Sequence, residues 1–139
     1  MPNVPIDVAI GIVRHQGKIL ICRRSAAGTF AGVWEFPGGK CEADEAPASA
    51  LHRELIEELG VSVEVDRALP VIEHDYPAFS VRLHPFICTL VEGDPRALTA
   101  DRLLWIEPAE LRDYSFPPAN AALIEQVART LAAPGIIQP

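Results

Sequence analysis

The chain has 139 residues, 49% of them apolar, which fits one globular domain and excludes a disordered tail. A formal net charge of −7 argues against a polynucleotide partner, whose affinity would come mainly from Lys and Arg on phosphates. An acidic protein can still hold a nucleotide when metal ions bridge the like charges.

In chain order, Ile6, Val8, Ile10 and Ile12 alternate with smaller or polar neighbours and predict a strand. HQGK turns the chain into a second, antiparallel strand, KILICRR. SAAGTFAG reads as a small-residue loop, and VWEFPGG as extended chain that breaks at Pro37-Gly38-Gly39. A helix is expected next, with Asp44 as its N-cap, Pro47 in its first turn and Gly60 as the left-handed residue that stops it. β-rich segments follow near 61–68, 69–76, 80–91 and 102–107. EPAELRDY predicts a short helix and PPANAALIEQVARTLAA a second long one, with a frayed end. The order ββ-α-ββββ-α predicts an α/β fold, helices on both sides of a mixed sheet, in a single domain over 1–139.

Cys22, Cys41 and Cys88 lie far apart without a C-x-x-C, so neither zinc nor a disulfide framework is indicated. Reduced thiols used for packing fit a cytoplasmic protein. No apolar run is long enough to span a bilayer, and no basic segment precedes the first apolar residues, which argues against a membrane partner and a signal peptide. His15, His52, His74 and His84 show no ligand spacing and read as surface or structural residues.

Within the first helix, Glu54, Glu57 and Glu58 are spaced i, i+3 and i+4 and project from one side. Leu51, Leu55 and Leu59 form the neighbouring apolar stripe, so the acids border the buried face. Like charges so placed repel, more so when partly buried. A divalent cation removes the conflict, and magnesium suits a few carboxylates plus substrate phosphates. For E-x-x-E-E alone, a solvated acidic face is the better account.

The surrounding residues are more specific. Gly39, five residues, Glu45, seven residues, Arg53-Glu54-Leu55, one residue, Glu57-Glu58, one residue, Gly60-Val61 resembles the Nudix box at every fixed position. The resemblance, at 39–61, implies the Nudix fold, an α/β/α sandwich with a mixed sheet, and hydrolysis of a nucleoside diphosphate linked to another group. It implies that Glu54, Glu57 and Glu58, with the Gly38 carbonyl, bind magnesium (manganese as the alternative), and that Glu54, Arg53 and Glu57 form the catalytic set with Glu54 as the base. Arg53 and Glu45 would brace loop against helix, an ion pair between them being the physical expectation. The metals would neutralise pyrophosphate oxygens and lower the pKa of a bound water. Where relatives carry a distal acid outside the box this chain has Thr99, with Asp101 the nearby acidic residue.

ICRRSAAGTFAGVWEFPGGK and FPPAN further resemble the MutT-type 8-oxo-dGTP pyrophosphohydrolases, from Ile19 to about Val91 and again from Trp105. That resemblance implies a nucleoside triphosphate substrate. Asn120 would read a purine edge, since an amide donates and accepts at once. The Phe36 backbone and the Tyr76 ring would hold and cover the base, and Arg24 and Lys40 would meet phosphates, ahead of Arg23. Ala78, two beyond Tyr76, stands where an Arg is expected and changes the lid. Capping of the following helix is the competing role for Asn120. Two other functions are carried forward: a Nudix hydrolase of CTP or 5-methyl-dCTP, whose relatives often carry P-A-D where this chain has P-A-N, and a catalytically dead sensing module. A monomer or weak homodimer is expected.

Overall fold

A computed structural model describes residues 4–23, 32–98 and 100–132. Among these residues eight strands form one mixed sheet: β1 (Ile6–His15), β2 (Lys18–Arg23), β3 (Trp34–Glu35), β4 (Gly38–Lys40), β5 (Ser62–Ala68), β6 (Ile72–Asp75), β7 (Ser80–Glu92) and β8 (Arg102–Ile106). Helix α1 (Pro47–Leu59) lies between β4 and β5, and α2 (Ala121–Ala132) follows β8 after two 3-10 turns, Pro108–Asp113 and Pro118–Asn120. The expected ββ-α-ββββ-α order holds, with the short β3 and β4 added to it.

Gln16 and Gly17, both with positive φ, make the two-residue hairpin between β1 and β2. β1 then runs parallel to β7 from Ile6–Val81 to Arg14–Thr89, so the chain's first strand lies in the middle of the sheet. β1 stays with β2 only across Arg14–Ile19 and His15–Lys18; farther along, Val8–Ile10 pair with Gly38–Lys40 of β4, while β2 turns to β8 and β3. This divergence opens a cleft between the two halves of the sheet.

Pro37-Gly38-Gly39 does not end the extended chain as expected. Gly38 has φ 147° and sits against the Ala9 carbonyl, where a Cβ would come within 2.0 Å of the oxygen. The missing side chain is what lets β4 pair with β1.

The two core layers follow from alternation in β1. Ala9 and Val13 face α1 and join Leu20, Leu51, Leu55, Leu59 and Cys88. Ile10 and Ile12 face the other way and join Ile19, Ile21, Leu83, Ile87, Leu123 and Val127. Both faces of the strand are buried, as its near-continuous apolar run requires. Leu51, Leu55 and Leu59 are buried as their spacing predicted; each contributes about 1.5–3 kcal/mol by leaving water.

The start of α1 differs from expectation. Its N-cap is Ala46, with no side-chain cap, and Asp44 sits in a left-handed turn at φ 64°. Proline at the first helical position forces the residue before it into extended geometry, so the cap falls at Ala46. Gly60 stops the helix as predicted, at φ 72°, with its N–H donating to the Ile56 carbonyl and that of Val61 to Leu55. Among the described residues no helix is long and apolar enough to cross a membrane.

Candidate active site

A cavity of about 800 Å³ lies in the cleft where β1 leaves β2. Phe36, Gly38, Lys40, Glu54, Glu58, Tyr76 and Asn120 all line it. Residues from four separate stretches of sequence are thus brought to one space.

Its acidic end is built by α1 and β4. Glu54 reaches under Gly39: a Cβ there would stand 2.4 Å from the Glu54 carboxylate. Glu58 lies against Glu54 and accepts a hydrogen bond from the Gly38 N–H. Burial, then the Glu54 charge, pushes the Glu58 carboxyl up to about 8, and Glu35 adds to the effect. Glu57 is not among the residues that line the cavity; it is more than half exposed, with Oε1 3.3 Å from Arg53 Nη1.

Beside these acids Arg53 ties the helix to the loop. Its Nε and Nη2 donate to Glu45 at 2.8 and 2.9 Å, Nη1 to Glu54 at 3.1 Å, and Nη2 to the Lys40 carbonyl at 3.2 Å. The expected Arg53–Glu45 ion pair is therefore present and bidentate. Arg53 holds the Glu45 carboxyl down at about 2, and Glu45 in turn raises the guanidinium.

The other end is apolar. Val8, Ile10, Phe36, Phe79, Val81 and Leu83 wall it. Tyr76 packs on Phe79 with ring centroids 5.0 Å apart, and His74 meets Tyr76 edge-on at 4.5 Å. Asn120 lies in this region, 7% exposed, at the end of the Pro118–Asn120 turn. Its side-chain amide makes no hydrogen bond among the described residues, so it does not cap α2.

Several residues fall elsewhere. Arg24 and Thr99 lie outside the described residues. Asp101 faces Arg23, accepting from its Nε at 3.1 Å and its Nη2 at 2.5 Å, which occupies both side chains. Asp7 accepts from His84 at 2.8 Å and His15 packs on Trp105, structural roles like those expected of the histidines. The three cysteines are free; burial raises the Cys22 thiol and pushes that of Cys88 up to about 12, so both are inert packing groups.

Among the cavity residues that sequence reasoning missed are Glu35, Cys22 and Phe79. A charged residue between two aromatics, as in Trp34-Glu35-Phe36, was a signal for the first. Phe79 required knowing that β7 lies beside β1.

The donor set fits a hard divalent cation. The cavity offers carboxylate oxygens from Glu54 and Glu58 beside the Gly38 backbone, and their mutual repulsion is what such an ion relieves. Among the described residues no three His, Cys, Asp or Glu side chains already converge at ligand distance. Magnesium, which keeps waters and takes substrate phosphates, tolerates so open a set.

The NUDIX domain family matches residues 8–126. The chain is 36% identical over 120 residues to the CTP pyrophosphohydrolase of Escherichia coli K12, covering 86% of this chain and 89% of that protein. It is 33% identical over 125 residues to the 8-oxo-dGTP diphosphatase of the same organism, covering 89% and 97%. The solution structure of the E. coli ORF135 protein superposes with a TM-score of 0.78 at 34% identity, covering 94% of each chain.

Proposed function

The chain belongs to the NUDIX domain family, whose hydrolases need a divalent metal, and from that premise we propose that it is a magnesium-dependent pyrophosphohydrolase of nucleoside triphosphates. Its substrate is 8-oxo-dGTP, which it splits to the monophosphate and pyrophosphate, removing an oxidised precursor from the nucleotide pool. The observation that carries the purine reading is Asn120: nearly buried, lining the same cavity as Glu54 and Glu58, and with its amide uncommitted among the described residues.

Glu54, Glu58 and the Gly38 carbonyl hold the metal in this reading, and Glu57, which lies outside the cavity lining beside Arg53, joins them by turning its exposed side chain. When bound, the ion neutralises the phosphate oxygens and acidifies a water. Glu54 accepts the proton of the attacking water. Arg53 fixes the Glu54 carboxylate through the 3.1 Å contact and is itself fixed by Glu45. Lys40, at the cavity rim, meets the phosphates. Phe36, Phe79 and Tyr76 exclude water from the base while Asn120 reads its edge.

A second reading, a pyrimidine triphosphate substrate, is favoured by the similarity to the CTP pyrophosphohydrolase. It leaves unused an amide suited to a purine edge. The test of the proposal is the product formed from 8-oxo-dGTP with Mg²⁺. Monophosphate plus pyrophosphate is expected, with loss of turnover in Glu57→Gln; release of inorganic phosphate and the diphosphate contradicts it.

A further inference from the structure

Tyr76 carries a hydroxyl that a lid over a base does not need. A ring suffices to exclude water, and the neighbouring Phe79 has no polar atom. The hydroxyl is committed elsewhere: it accepts the Ala119 N–H at 2.9 Å, across 43 residues of sequence.

That donor is the buried middle residue of the turn carrying Asn120. Pro117 precedes the turn and caps it without a side-chain hydrogen bond. Pro118 has no N–H, the Asn120 N–H donates to the Pro117 carbonyl, and that of Ala121 to Pro118. The Ala119 N–H is thus an orphan donor of a helix start, satisfied from another element. The two prolines fix φ and make the turn stiff in itself. Its placement against the apolar wall depends on contacts from outside. Tyr76 is well held to provide one: its N–H donates to the Phe79 carbonyl at 2.7 Å, and its ring packs between His74 and Phe79.

We propose that Tyr76 is a positioning residue for base selection, its hydroxyl latching the Pro118–Asn120 turn so that the Asn120 amide stands at a fixed place beside the apolar wall. This rests on the base-reading role of Asn120 given above, and it adds that selectivity is set from the hairpin between β6 and β7 as well as from the turn itself.

Tyr76→Phe keeps the ring and removes the acceptor. Two measurements judge it. Amide hydrogen exchange at Ala119 should accelerate about tenfold, the loss expected for one hydrogen bond. The ratio of kcat/KM for 8-oxo-dGTP over dCTP should fall about fivefold, through KM for the purine more than through kcat. Unchanged exchange at Ala119 overturns the latch. Faster exchange with an unchanged ratio, or equal losses on both nucleotides, reduces the bond to an ordinary structural contact and overturns the positioning role. Asn120→Ala, measured alongside, separates this from failure of the base-reading role. If that variant leaves the ratio intact, Asn120 does not read the base, the positioning role falls with it, and Ala119 exchange still reports whether the hydroxyl holds the turn.

Discussion

Replacing Gly39 by Ala separates the chemistry from the fold. A Cβ at Gly39 would lie 2.4 Å from both the carboxyl carbon and Oε1 of Glu54, and 2.7 Å from Oε2. Ordinary contact begins near 3.4 Å, so the carboxylate must retreat by about 1 Å, the scale of displacement that costs around 100-fold in a positioned reaction. The obstructed group is the far end of a flexible side chain, and Gly39 is not in the left-handed region, so the backbone bears little strain. Gly39→Ala should therefore lower kcat/KM about 100-fold while moving Tm by less than about 3 °C. Gly38→Ala is the contrast. Its Cβ would strike the Ala9 carbonyl of the paired strand at φ 147°, so it should melt well below the wild type. Steady-state kinetics at saturating Mg²⁺ and a thermal melt read both effects. A Gly39→Ala enzyme within threefold of wild-type activity would refute the claim that the Glu54 carboxylate acts from where it lies.

Stability should depend on pH in two opposed ways. The Glu58 carboxyl is raised from its ordinary 4.5 to about 8, so the folded protein holds an extra proton; that contribution is full below 4.5 and lost as pH rises to 8. In EDTA the Tm should fall by about 5 °C between pH 5 and 8; Mg²⁺ or Glu58→Gln should flatten the slope, and a slope surviving in Glu58→Gln would show another group responsible. Glu45, lowered to about 2 by Arg53, acts in the other sense: its contribution is present above 4.5 and lost as pH falls to 2, so Glu45→Gln should weaken the acid side of the melt profile. Asn120→Ala should lower kcat/KM for 8-oxo-dGTP about 10- to 100-fold, the cost of an unpaired polar group in a dry pocket, with a smaller loss on dCTP; a matched loss on both would return Asn120 to a structural role.

What the sequence made legible was local. The Gln16-Gly17 hairpin, the Leu51-Leu55-Leu59 stripe and the Gly60 stop follow from spacings of a few residues, and the Arg53–Glu45 pair from the resemblance of the box. The misses are of two kinds. Asp44 lost the cap because a proline two residues beyond Glu45 set the helix start, a competition between two local rules. β4 and the apolar wall depend on distant pairing: Gly38–Lys40 become a strand only because β1 lies alongside, and Phe79, Val81 and Leu83 reach the cavity only because β7 runs parallel to β1. The acidic end could be read from a motif, whereas Phe79 needed the sheet.

The central claim is that one cavity couples a metal-binding carboxylate set to a purine reader. A competition assay tests it most directly: 8-oxo-dGTP, dGTP and CTP mixed at equal concentration below their KM values, with Mg²⁺, the monophosphates separated and timed. The ratio of their rates of loss is the ratio of kcat/KM. The account predicts that 8-oxo-dGMP appears first and that CTP is consumed at least tenfold more slowly. Preferential consumption of CTP, with 8-oxo-dGTP left over, would contradict it.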